Sequence, residues 1–266
     1  MSDYVERYFE AMRDLITRGY CVASFDWRGQ GASQRLLKDR LRGWINSFKS
    51  YDEDLRAADS WSGPLSGSLT MRSPIPLAAT SCSAPSCAKH LVLQGHCHGP
   101  ASMELNMAPG RVGWRDYFTA VMVRTVFWVT LPTIRRQPIM LGPFVENPLT
   151  NSEARWDRDA GTLARYPDIA VGGATFGWLH AAMESINSLK HGSFPKGPKC
   201  PVLMVLAGRD RVVDNAAAEA FAARVPGVSV VRVQDSLHEI LMERDVIREE
   251  FLAGLETYLG EAPASS

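Results

Sequence analysis

The sequence predicts an α/β protein in which a mostly parallel sheet is flanked by helices, and three stretches carry that prediction. Across residues 200–242 two apolar runs, CPVLMVLAGRDRVVD and VSVVRVQDSLHEILM, flank an Ala-rich segment. Each run crowds β-branched and aliphatic residues without helical spacing and reads as a buried strand, while residues 215–224 between them read as a helix. Near the start, Val5, Tyr8, Phe9, Met12, Leu15 and Ile16 form a helical stripe over residues 4–17; Gly19 ends it, and a strand follows over 20–25. In the third stretch, Phe176, Leu179, Ala182, Met183, Ile186 and Leu189 recur at helical spacing, with Trp178 close to the stripe. Helices alternating with strands in this order specify a layered α/β architecture.

Length and composition narrow the function classes. At 266 residues the chain suits one α/β domain with an insertion. Lys+Arg and Asp+Glu are equal at 29 each, so the basic surplus typical of nucleic-acid binders is missing. The 5 Cys are odd in number and irregularly spaced, which argues against a disulfide framework and for a reducing compartment. The opening MSDYVERYFEAMRD is charged and amphipathic, unlike a signal peptide. VMVRTVFWVTLP is too short for a membrane span and contains Arg124. A soluble, cytoplasmic protein with a small-molecule partner is expected, without nucleic acid or an integral membrane segment.

In chain order, the strand at 20–25 runs into Asp26-Trp27-Arg28-Gly29-Gln30-Gly31-Ala32-Ser33, where two glycines allow a sharp turn that a Cβ would obstruct. Asp26 and Arg28 read as structural, holding this loop. The glycines lack a dinucleotide-binding fingerprint. From Asp59 onward DSWSGPLSGSLTMRSPIPLAATSCSAPSCAKH is rich in Ser, Pro and Gly and reads as loop. The Asn147-Pro148-Leu149-Thr150 turn precedes a helix starting near Ser152, with a Ser/Thr cap and Glu153 in its first turn. KHGSFPKGPK is a linker back toward the sheet, and residues 245–259 form the last helix.

The candidate chemistry sits after the two C-terminal strands. Asp210 ends the first and His238 follows the second, 28 residues later, which leaves room for one helix and one strand. In open α/β sheets ligands bind beyond the carboxyl ends of strands. An Asp–His couple there holds the imidazole in one tautomer and stabilises the imidazolium formed when it takes a proton from a nucleophile. Asp214 and Asp235 read as turn residues.

Here AGRDRVVDNAAAEAF, DSLHEILMERDVIREEF, the helix–Gly–strand–DWRGQGAS segment and the NPLT stretch together resemble α/β-hydrolases of the lysophospholipase and monoacylglycerol lipase (serine aminopeptidase S33-like) group. The resemblance implies an α/β-hydrolase fold divided into core residues 1–142, a helical cap at 143–198 and core residues 199–266. It also implies a Ser–Asp–His order with Asp210 as acid and His238 as base, an ester or small lipid substrate, transient contact with membrane lipid, and no cofactor. Members of the group carry further strands and a His-Gly loop ahead of the first helix, so the fold is expected to be incomplete at the N-terminus.

Two departures stand out. The resemblance covers roughly residues 1–60 and 143–260 and lapses across 61–142, as a shifted reading frame or a degenerate segment would produce. No Gly-x-Ser-x-Gly occurs anywhere in the chain. In its place is Gly95-His96-Cys97-His98-Gly99 behind the apolar HLVLQ. Cys97 is therefore the candidate nucleophile, since a thiolate beside histidine is strongly nucleophilic. Its spacing from Asp54 and Asn147 differs from the group's, which leaves a chance match as the alternative and, with it, a hydrolase scaffold that lacks its nucleophile. Successive strand residues point to opposite faces, so at most two of His96, Cys97 and His98 could reach one metal ion, and no metal site is expected.

Overall fold

The computed structural model describes residues 3–18, 22–62, 69–70, 138–191 and 202–261. A 3-10 turn over Val5–Tyr8 leads into α1 (Phe9–Thr17), β1 (Val22–Ala23), α2 (Lys49–Ser62) and β2 (Leu69–Thr70). After residue 138 come α3 (Glu153–Arg165), α4 (Phe176–His191), β3 (Val202–Ala207), α5 (Asn215–Arg224), β4 (Val228–Val233) and α6 (Asp245–Glu261). Both strand pairs described, β1–β2 and β3–β4, are parallel.

The β3–α5–β4 unit explains the core. β3 is buried at every position, as a parallel strand covered on both faces should be. Its residues alternate between two cores. Leu203, Val205 and Ala207 pack with Ala11 and Leu15 of α1 and with Phe251, Leu252 and Leu255 of α6. Met204 and Leu206 pack with Ala218, Phe221 and Ala222 of α5. Each such aliphatic side chain, fully buried, contributes roughly 1.5–3 kcal/mol.

Four expectations need correction. β4 is not a buried strand: only Val233 is fully buried, and Val230 is 38% exposed. Among the described residues β4 pairs with β3 alone, so its valines line a sheet margin. The buried face of the first helical stretch runs Tyr4–Tyr8–Ala11–Leu15, whereas Phe9 and Ile16 are exposed. On α4 the packed face is Trp178, Ala181, Ala182 and Ile186, with Met183 only partly buried, so Trp178 is central to the stripe and not beside it. Finally, α2 runs on to Ser62 and β2 falls at Leu69–Thr70, both inside the stretch read as loop.

Two aromatic-rich clusters surround this unit. Trp27, Ile45, Phe48, Tyr51 and Leu55 meet Trp178, Ala181 and Ile186 of α4, with the Phe48 and Trp178 ring centroids 5.4 Å apart. Tyr4, Met140, Leu149, Trp156 and Leu163 close a further core beneath α3. The turn after β1 is held as its composition suggests. Asp26 accepts from the Val5 and Ala32 N–H groups, each at 2.8 Å, and Arg28 grips both carboxylate oxygens of Asp54. Gly31 has φ +48°, and a Cβ there would collide with the Asp26 carboxyl. No helix among the described residues is long and apolar enough to cross a membrane.

Candidate active site

β3 and β4 deliver the two candidate side chains to one edge of the sheet. The ladder continues one step past β3, Gly208 N–H donating to the Val233 carbonyl at 2.7 Å, and Arg209 N–H then donates to the Ser236 carbonyl at 2.9 Å. These bonds bring the turn after β3 against the loop after β4. Asp210 Oδ1 accepts from the Val212 and Val213 N–H groups at 2.7 and 3.0 Å, an Asx turn that orients the carboxylate. Asp214, four residues after that turn's start, caps α5 by accepting from the Ala216 N–H. Oδ2 of Asp210 is thereby aimed at His238, whose Nδ1 lies 2.8 Å away. Both side chains of the pair are buried.

Electrostatics favour the charged acid. Burial pushes the Asp210 carboxyl up, but the His238 hydrogen bond and the Val212 and Val213 amides outweigh it and hold the group below the usual aspartate range. A carboxylate only accepts, so Nδ1 of His238 carries the proton and the neutral imidazole presents its lone pair at Nε2. That is the arrangement of a general base.

Residues around His238 form a polar frame that the sequence reading passed over. Glu239 is buried and paired with Arg7, which also bonds Asp159 at 2.8 Å and Asp3 at 3.2 Å. Glu243 is 0% exposed, and its Oε1 accepts from the Leu237 N–H at 2.9 Å. The NPLT turn meets the same loop: Glu239 N–H donates to the Leu149 carbonyl, and the Thr150 hydroxyl donates to the Met242 carbonyl at 2.6 Å. The signal was present in DSLHEILMERD, where acids crowd an otherwise apolar segment. Buried carboxylates of that kind require partners.

Cys97, with His96 and His98, lies outside the described residues. Among the described residues no group of three or more His, Cys, Asp or Glu could hold a metal ion.

The alpha/beta hydrolase fold family matches residues 85–245, and the serine aminopeptidase S33 family matches residues 1–63. The first match takes in residues 85–142, and Cys97 falls within it. The chain is 29% identical over 272 residues to lysophospholipase L2 of Escherichia coli strain K12, covering 93% of this chain and 74% of that protein. Among solved structures it resembles the monoacylglycerol lipase of Paleococcus ferrophilus, with a TM-score of 0.66 at 13% identity over 98% of this chain and 92% of the other. A soluble variant of monoglyceride lipase from Saccharomyces cerevisiae gives a TM-score of 0.62 at 15% identity, with coverages of 97% and 84%.

Proposed function

The chain belongs to the α/β-hydrolase fold family, and from that premise we propose that it is a carboxylic ester hydrolase acting on lysophospholipids or monoacylglycerols. The observation that carries this reading is the 2.8 Å bond between Asp210 and His238 at the ends of two adjacent parallel strands. The names of the lysophospholipase and monoglyceride lipase relatives support the substrate class.

In the proposed mechanism a nucleophile attacks the acyl carbonyl carbon while Nε2 of His238 takes its proton. Asp210 stabilises the imidazolium so formed. The imidazolium returns the proton to the departing alcohol as the tetrahedral intermediate collapses to an acyl-enzyme. Water, deprotonated by the same nitrogen, then releases the fatty acid and restores the nucleophile. Asp210 is the acid, His238 the base and Cys97 the nucleophile in this assignment, with residues 143–198 as a cap over the site. The chemistry needs no cofactor.

A second reading rests on one sequence observation, the absence of Gly-x-Ser-x-Gly: a hydrolase scaffold that binds without turning over. Hydrolysis of a short-chain chromogenic ester, a lysophospholipid and a monoacylglycerol separates the two. The lead reading expects His238→Ala to lower kcat/KM by on the order of a thousandfold or more. Equal background rates in both folded proteins would establish the second reading, and full activity in Cys97→Ala would remove that residue as nucleophile.

A further inference from the structure

We propose that Glu243 is a positioning residue for His238, acting with Asn151 as a clasp that ties the histidine loop to the turn opening α3. The kinetic part of this inference rests on the hydrolase reading above; the geometric part does not.

The loop from Leu237 to Met242 has no strand ladder to hold it, yet it must keep Nδ1 of His238 on Asp210 at 2.8 Å. Besides the bonds of Glu239 and Met242, Glu243 supplies a constraint next to the histidine itself. Its carboxylate reaches back across a 3-10 turn (Ile240–Met242) to the Leu237 N–H. The same two oxygens accept from the Asn151 side-chain amide at 2.8 Å, the Asn151 N–H at 3.1 Å and the Arg244 N–H at 3.3 Å. All four donors are amide groups. Arg155 adds a 2.6 Å bond from Nη1 to the Glu243 carbonyl oxygen. Asn151 stands one residue before Ser152, whose hydroxyl caps α3 by accepting from the Arg155 N–H.

The chemistry of the group points to geometry over stability. Burying a carboxylate carries a desolvation cost, and apolar side chains of similar volume commonly match or exceed a buried charge in stabilising a core. What an apolar side chain lacks is two acceptor oxygens able to hold donors from two segments at once. Glutamine lacks this too, because its amide nitrogen would face donors.

The test uses the full chain as wild type, Glu243→Gln, Asn151→Ala and the double variant. NMR of the His238 imidazole gives its titration midpoint and its Nδ1 proton signal, and ester hydrolysis gives kcat and KM separately. A clasp predicts a broadened or lost Nδ1 signal, a moved midpoint and a kcat lower by roughly ten- to a hundredfold in Glu243→Gln. KM should change by less than about threefold, and the double variant should be no worse than Glu243→Gln, because one unit is broken once. A lowered unfolding midpoint with His238 signals and kcat intact would overturn the proposal. Should Glu243→Gln fail to fold, Asn151→Ala decides: an unchanged His238 titration there overturns the clasp, a shifted one supports it. Absence of turnover in the wild type would sink the hydrolase reading alone, since the imidazole signals still report the clasp.

Discussion

A methyl group added at position 208 would lie 2.6 Å from the Cα of Gln234, against backbone that cannot yield cheaply. Gly208 donates to the Val233 carbonyl at this same point, two residues before Asp210. The glycine sets the distance between the acid and the base by letting two backbones touch. Gly208→Ala is expected to force the ends of β3 and β4 apart, with a stability loss of roughly 1–3 kcal/mol in denaturant titration. Its kcat should fall with it, because Asp210 and His238 are carried by the two ends displaced. A variant with wild-type kcat would show that the approach at 208 matters for folding alone.

Between elements, α1, α3 and α6 are joined through Glu10. Arg155 of α3 bonds its Oε2 at 2.9 Å, Arg158 also reaches Oε2, and Arg248 of α6 lies 3.1 Å from Oε1. The Arg155 hydrogen bond is the largest influence on the Glu10 carboxyl and, with Arg158 and Arg248, overcomes partial burial to bring it down to about 2. A depressed folded-state pKa contributes stability that is complete above the unfolded value of 4.5 and is lost as pH falls toward 2. Glu10→Gln should therefore unfold at lower denaturant than wild type at pH 7, and the difference should close between about pH 4.5 and 2. A difference that persisted undiminished at pH 2 would count against the ion pairs as its source. Glu10 and Arg158 are partly exposed to solvent while Arg155 and Arg248 are buried, so salt should shrink the effect only in part.

For the molecule as a whole, Arg7 is the joint. It is buried, and it meets Asp3 of the N-terminal turn, Asp159 of α3 and Glu239 of the histidine loop. Burial lowers its pKa, but Glu239 and Asp159 more than compensate, and the guanidinium is held well above its ordinary value. Arg7→Met would leave three buried carboxylates without their cation, a defect of about 3–5 kcal/mol. The deficit should narrow on acidification, since burial already raises the Asp159 carboxyl and a protonated acid no longer needs a cation. Urea unfolding at pH 7 and pH 4 measures both statements. A small, pH-independent loss would show that the three elements are joined by apolar packing instead.

The β3–α5–β4 order, the α3 cap at Ser152, the fold family, and the pairing of Asp210 with His238 are legible in the chain alone. Each of these is written in a local pattern: two apolar runs around an Ala-rich helix, a capping serine, an acid and a histidine at strand ends. Only the tertiary structure decided which faces are buried. Val228–Val233 reads as a buried strand on its four valines, yet it lies at a sheet margin with Val230 exposed beside Ser229 and Arg232, because burial depends on neighbours that periodicity cannot name. The acids of the polar frame stand out in the sequence, but their partners do not. Arg7 and Glu239 are 232 residues apart, and Glu243 and Asn151 are 92 apart. Nothing local marks such partners, since a charged residue in a sequence reads as surface until the fold brings its counterpart beside it.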